Sequence, residues 1–129
     1  FGLQKELKVF GNDWPTKDGT PIRDYIHVMD LASTHISVLE YLISKKPNFL
    51  KINVGTGKGT SVLELIKTFE KVNNVRVPYI FAKRRLGDKC SIVAENSLLV
   101  SKLKIIPKYS IEDMCRDGWR WKNLNPNGY

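Results

Sequence analysis

Apolar positions along this chain change their spacing several times, and each change predicts an element. "LKVF" at residues 7–10 is a short β-rich run and predicts a strand, as does "YIHV" at 25–28. Beyond it, Leu31, Val38, Leu39, Leu42 and Ile43 fall on one side at helical spacing, with Ser33, Ser37, Glu40 and Ser44 opposite. This pattern predicts a helix capped by Asp30, running to about Lys46 and stopped by Pro47. Residues 50–54 predict a strand. Val62, Leu65, Ile66 and Phe69 then match the i, i+3, i+4, i+7 template of a helix from Val62 to about Val72. "PYIFA" at 78–82 reads as a strand, "KRRLGDKCS" as a loop, and two further helices start after Asn96 and at Ser110. Strands alternating with helices predict the α/β class.

Between the first two predicted strands, "GNDWPTKDGTPIRD" is dense in turn residues and predicts an exposed loop. Gly55, Gly57 and Gly59 stand between a strand and a helix, where phosphate cradles are built. Their spacing fits neither familiar fingerprint. The third glycine falls one residue early for G-x-G-x-x-G, and Lys58 precedes the last glycine instead of following it. Ser61 and Glu64, three apart, form a capping box that would occupy the free N–H groups a phosphate needs. A tight strand-to-helix turn is the favoured reading.

Tyr41 and Lys45 match the Tyr-x-x-x-Lys pair of short-chain dehydrogenases, but the helical pattern predicts that both face away from the apolar stripe. His27 and His35 have no nearby Ser, Cys or metal-ligand partner in sequence, and Trp119 and Trp121 read as packing residues on the last helix.

Composition narrows the classes. A length of 129 residues suits one domain, and no apolar run approaches the roughly 20 residues of a membrane span. The chain opens on "FGLQKELKVFG", with neither Met nor a leader pattern, so it reads as a piece of something longer. Cys90 and Cys115 are too few for a disulfide framework, lie in no metal-type cluster, and suit reduced thiols in the cytoplasm. The net charge of +8 calls for an anionic partner. Its 21 basic residues are scattered, and the lone triplet is Lys83-Arg84-Arg85, so a small phosphate ester fits as well as a nucleic acid. Arg23, Tyr25, Arg85 and Asp88 remain as polar anchors at strand ends and loops: arginines for phosphate, an aspartate for vicinal hydroxyls.

With these residues in view, "FGNDWPTKDGTPIRDYIHVMDLASTH" at 10–35 closely resembles the corresponding segment of UDP-glucose 4-epimerases, in which Tyr takes the place of Trp14. "NVGTGKGTSVLELI", "RRLGD" and "DGWRWKNLNPNGY" follow in that family's order and spacing. The resemblance implies that residues 1–129 form the small C-terminal, UDP-sugar-binding domain of an extended short-chain dehydrogenase. A strand near 50–54 would add to the sheet of a missing Rossmann half. That half would bind NAD and carry every catalytic residue, leaving none here. In the family a hexose C4 hydroxyl is oxidised to a ketone and the hydride is returned to the other face. The implied partners are UDP-galactose, UDP-glucose and the chain's own N-terminal Rossmann half, with a homodimer when intact, and neither nucleic acid nor membrane.

Residue by residue, the resemblance places Lys8 and Phe10 at the uracil, Arg23 and Arg85 on the diphosphate, Asp88 on the ribose hydroxyls, and Tyr25 and Val62 along the pocket. Leu86 stands where the family usually has Glu. Ile92 occupies the family's size gate for the sugar, being neither the bulky Tyr nor the small residue usual there. Alternatives are another nucleotide-sugar enzyme of the superfamily (a uronate epimerase, decarboxylase or dehydratase) or a non-catalytic basic module binding nucleic acid.

Overall fold

The computed structural model describes residues 5–45 and 49–128. Its elements are β1 (Leu7–Phe10), β2 (Ile22–Arg23), α1 (Val28–Ser44), β3 (Thr60–Ser61), α2 (Val62–Asn73), β4 (Tyr79–Ala82), β5 (Ser91–Ile92), α3 (Ser97–Leu103) and α4 (Ile111–Leu124). The strands make two small sheets. β1 pairs parallel with β4, Leu7 opposite Tyr79 and Phe10 opposite Ala82. β2 is the centre of the other sheet, antiparallel to β3 and parallel to β5. The chain is α/β, as its pattern predicts.

Sheets this narrow bury little, so the apolar packing falls largely to the helices. α2 and α4 lie against each other, with Ile66 and Cys115 buried and the Phe69 and Trp119 rings meeting edge to face at 5.5 Å. The Asn73 side-chain amide donates to the Cys115 carbonyl at 3.2 Å and ties the two helices together. Both helices begin with capping boxes: the Ser61 hydroxyl accepts from Glu64 N–H and Glu64 accepts from Ser61 N–H, and Ser110 pairs with Asp113 in the same way. The Ser110 bonds, followed by Arg116, lower the Asp113 carboxyl to about 2.

Polar side chains are buried alongside this small core: Thr20, His27, Asp30, Thr34 and Ser61. Three aspartates at intervals of six each reach across the fold. Asp18 accepts from Thr20 and from the Ser61 hydroxyl; Asp24 accepts from Thr56, Gly57 and Ala94; Asp30 accepts from the N–H groups of Lys108 and Tyr109. The stretch expected to be an exposed loop therefore contains β2, buries Gly11, Thr20 and Pro21, and works as the hub of the fold.

Other expectations also change. Residues 25–28 form no strand. His27 is extended at the mouth of α1, where its Nδ1 accepts from Met29 N–H at 3.0 Å, so His27 and not Asp30 is the cap. With Nδ1 accepting, the proton lies on Nε2, which donates to Asp117 at 3.2 Å, while the ring stacks on Tyr109 at 4.3 Å. The described part of α1 ends at Ser44; Pro47, with Lys46 and Asn48, lies outside the described residues. Residues 50–54 are not a strand either, because they have β-rich composition but no ladder partner among the described residues. Instead they run beside α1, where Leu50, Ile52, Val54, Val38, Leu42 and Tyr41 line a groove of about 390 Å³. Tyr41 is thus half-buried and not on an outward face, the apolar 49–54 segment having come over its side of the helix.

Candidate functional site

The parallel β1–β4 pair ends at Phe10 and Ala82, and the loop after β4 turns back over that end. Asp88 N–H donates to the Arg85 carbonyl at 3.2 Å, and Gly87 supplies the positive φ of 78° that the turn requires. This turn lays the Arg85 guanidinium over the Phe10 ring, 4.5 Å from its centroid. Arg23, on the neighbouring β2, points to the same place and is ion-paired to Asp88 Oδ1. Arg85 lies 3.8 Å from Asp88 Oδ2. Three segments far apart in sequence thus bring two guanidiniums, one carboxylate and one aromatic face together.

The carboxylate is unevenly satisfied. Asp88 Oδ1 accepts from Arg23 and from Lys89 N–H, while Oδ2 is buried with no hydrogen-bond partner. Its side chain is only 12% exposed, so few water molecules reach that oxygen. A buried acceptor without a donor carries a desolvation cost, and a ligand hydroxyl would remove it. The Arg85 side chain beside it is 65% exposed and has donors free for an anion.

Of the residues the sequence singles out, Phe10, Arg23, Arg85 and Asp88 come together. Ile92 stands opposite Arg23 in the β2–β5 register and is half exposed. Lys8, two residues before Phe10 on β1, shares its face of the strand and is exposed. Val62 opens α2, its N–H donating to the Pro21 carbonyl. Tyr25 lines an apolar cavity of about 340 Å³ with Leu7, Ile66, Phe69 and Met114; burial raises its phenol pKa and the charge of Arg23 opposes that rise. Leu86 projects fully into solvent.

The glycine loop does hold an anion, but an internal one. Asp24 Oδ1 accepts from the N–H and hydroxyl of Thr56, and Oδ2 accepts from Gly57 N–H at 2.9 Å and Ala94 N–H at 3.2 Å. Burial pushes the Asp24 carboxyl up, yet these bonds together outweigh it and leave it below its ordinary value. Gly55 is required by this approach, since a Cβ there would stand 2.6 Å from Asp24 Oδ2 and 2.5 Å from Ala94 Cβ. With Asp24 in the cradle and Glu64 at the helix start, this loop is already filled where a phosphate would sit.

One cluster beside the site was not among the sequence candidates. The Arg84 guanidinium lies 4.0 Å over the Trp14 ring and donates to both the carboxylate and the carbonyl of Asp13, and Trp14 Nε1 donates to the Phe10 carbonyl at 3.3 Å. The tandem arginines facing two aromatics four residues apart were the available signal.

No family model matches the chain. A UDP-glucose 4-epimerase of Bacillus subtilis is 48% identical over 128 residues, covering 99% of this chain and 38% of that protein. The structure of UDP-glucose 4-epimerase from Stenotrophomonas maltophila, with bound NAD and formylated UDP-arabinopyranose, superimposes with a TM-score of 0.91 at 46% identity, over 95% of this chain and 36% of that one. The Bifidobacterium longum enzyme, in complex with NAD+ and UDP, gives 0.92 at 41% identity, over 99% and 38%. The chain spans a little over a third of the length of these relatives. The fold is that of nucleotide-sugar epimerases of the short-chain dehydrogenase type. Within that class, homology places the chain with the UDP-glucose 4-epimerases, as a C-terminal portion.

Proposed function

We propose that this chain anchors the UDP of UDP-galactose and UDP-glucose in a UDP-glucose 4-epimerase. Asp88 carries the reading: a buried carboxylate oxygen without a donor, set between two guanidiniums at the end of a parallel strand pair. In this reading Arg23 and Arg85 hold the diphosphate and Asp88 accepts from the ribose hydroxyls. Lys8 and Phe10 meet the uracil, Tyr25 and Val62 border the pocket, and Ile92 limits the size of the sugar. Gripping the non-reacting nucleotide leaves the hexose free to present either face, so binding energy is spent away from the reacting carbon.

NAD belongs, in the same reading, to an N-terminal Rossmann half. That half would also supply a ladder for residues 50–54 and cover the apolar groove beside them; Phe49, 88% exposed at its rim, supports this. Residues 1–129 then act as one C-terminal domain of a cytoplasmic, homodimeric enzyme of galactose metabolism, inactive alone. Among the described residues no helix is long and apolar enough to cross a membrane, and no group of His, Cys, Asp and Glu is placed to hold a metal.

Calorimetry with UDP and, separately, a short oligonucleotide tests the reading in the longest polypeptide that carries this sequence. UDP binding that excludes the oligonucleotide is expected. Tight oligonucleotide binding with no response to UDP would sink the proposal. Turnover of UDP-galactose by the same polypeptide separates it from a uronate epimerase, decarboxylase or dehydratase, none of which the most similar relatives favour.

A further inference from the structure

The loop at 83–88 carries both Arg85 and Asp88, yet its own packing is sparse. Leu86 is fully exposed, and a Cβ added at Gly87 would meet nothing within 4 Å. Besides the Arg23–Asp88 pair at its far end, the ties that hold it come from its two guanidiniums. Arg85 stacks on Phe10, and Arg84 stacks on Trp14 while its N–H groups donate to the Asp13 side chain and backbone. Trp14 closes the circuit by donating to the Phe10 carbonyl. Phe10, Trp14, Arg84 and Arg85 therefore form a ring of contacts joining the end of β1 to the loop.

Two details show that the ring is built for close approach. Gly11, at φ +91°, is the only kind of residue that fits inside it, since a Cβ would lie 2.4 Å from Trp14 Nε1 and 2.9 Å from Arg84 Cγ. The Arg84 hydrogen bond also holds the Asp13 carboxyl below its ordinary value. With its face on Trp14 and two of its donors on Asp13, Arg84 is tied to protein partners.

We infer that Arg84, Trp14 and Asp13 form a fastener that sets Arg85 and Asp88 at the nucleotide, making Arg84 a positioning residue for substrate binding. The inference rests on the proposed UDP site and adds a determinant of its geometry. Loosening the fastener lets the loop wander, so the bound diphosphate must order it first, a cost that appears in affinity and not in the chemical step.

The test uses the longest polypeptide carrying this sequence, with UDP affinity from calorimetry, KM and kcat for UDP-galactose, and thermal midpoints in parallel. Arg84→Ala and Trp14→Ala are each expected to weaken UDP and raise KM about fivefold to thirtyfold, the range of a partly desolvated cation–π contact, with kcat unchanged. Trp14→Tyr keeps a flat ring under the guanidinium and is expected to restore most of the affinity. A lowered midpoint with wild-type affinity and KM for Arg84→Ala would overturn the fastener and leave Arg84 a stabilising residue only. Arg85→Ala is the control. If it weakens UDP while Arg84→Ala does not, the fastener alone fails; if neither matters, the UDP site itself fails.

Discussion

Arg23 and Asp24 are neighbours in sequence, and each leads to an aspartate in a different condition. Arg23 reaches Asp88, one of whose oxygens has no donor; Asp24 reaches the glycine loop, where every oxygen is used. Both carboxylates are largely shielded from water, and both lie beside strands of the same small sheet. What separates them is the count of donors. Asp24 has backbone N–H groups from residues 56, 57 and 94 around it and behaves as a knot. Asp88 has guanidiniums with donors to spare and, in the proposed reading, is the socket. A glycine-rich turn before a helix invites the opposite assignment, with the ligand at the glycines. The donor count corrects it.

Three variants bear on this contrast. Asp24→Ala leaves the donors of Thr56, Gly57 and Ala94 without an acceptor and is expected to cost about 3 kcal/mol of folding stability, measured by urea unfolding. A loss below about 1 kcal/mol would show the knot to be dispensable. Asp88→Asn is expected to do the reverse, weakening UDP by about 1.5–3 kcal/mol in calorimetry while stability shifts by less than about 1 kcal/mol. Equal effects of the two substitutions on both readouts would erase the distinction. Ser61→Ala removes the α2 cap and the bond to Asp18, with an expected cost of about 1 kcal/mol and UDP affinity unchanged. A change in UDP affinity there would extend the site to the glycine turn.

Acid separates the two regions as well. The folded Asp18 and Asp24 carboxyls lie below the ordinary value of 3.8, their hydrogen bonds together exceeding the upward push of burial. Because the folded pKa values are depressed, this stability is fully present well above pH 3.8 and is lost as pH falls below that value toward the folded ones. Circular dichroism from pH 6 to pH 2 should show unfolding that begins under pH 4, with a shallower slope for Asp24→Ala. A slope identical to wild type would remove Asp24 from the acid response.

How much of this was legible depended on how far each residue reaches. β1, β4, α2 and the Ser61–Glu64 capping box rest on spacing within a few residues, and the sequence pattern located them; the Ser110–Asp113 box was seen only as a helix start. The two-residue strands β2, β3 and β5 carry no periodicity, since a ladder of that length exists only through its neighbours. "YIHV" has the composition of a strand, but His27 turns its ring nitrogen to the Met29 N–H and starts a helix instead. Residues 50–54 show the converse, strand composition without a partner to pair with. Arg23, Arg85 and Asp88 were found through side-chain chemistry and family resemblance. Asp24 was passed over because its partners lie 32 and 70 residues away, and nothing in "IRDY" distinguishes it from a solvated loop aspartate. Arg84 was hidden by its neighbour, since nothing in "RR" tells a guanidinium bound by Trp14 and Asp13 from one left largely exposed.

The hub at 10–30 also imposes an order of events during synthesis. Asp30 waits for donors 78 and 79 positions downstream, and β1 for a parallel partner on the far side of α1 and α2. Closing loops of that length comes late, since their entropy must be lost before the contacts that reward it can form. Synthesis of these residues in order therefore exposes the hub before the donors that complete it. A nascent chain halted before Lys108 has α2 in place but no closing donor for Asp30, and it is expected to stay a substrate for proteolysis until residues 108 and 109 emerge.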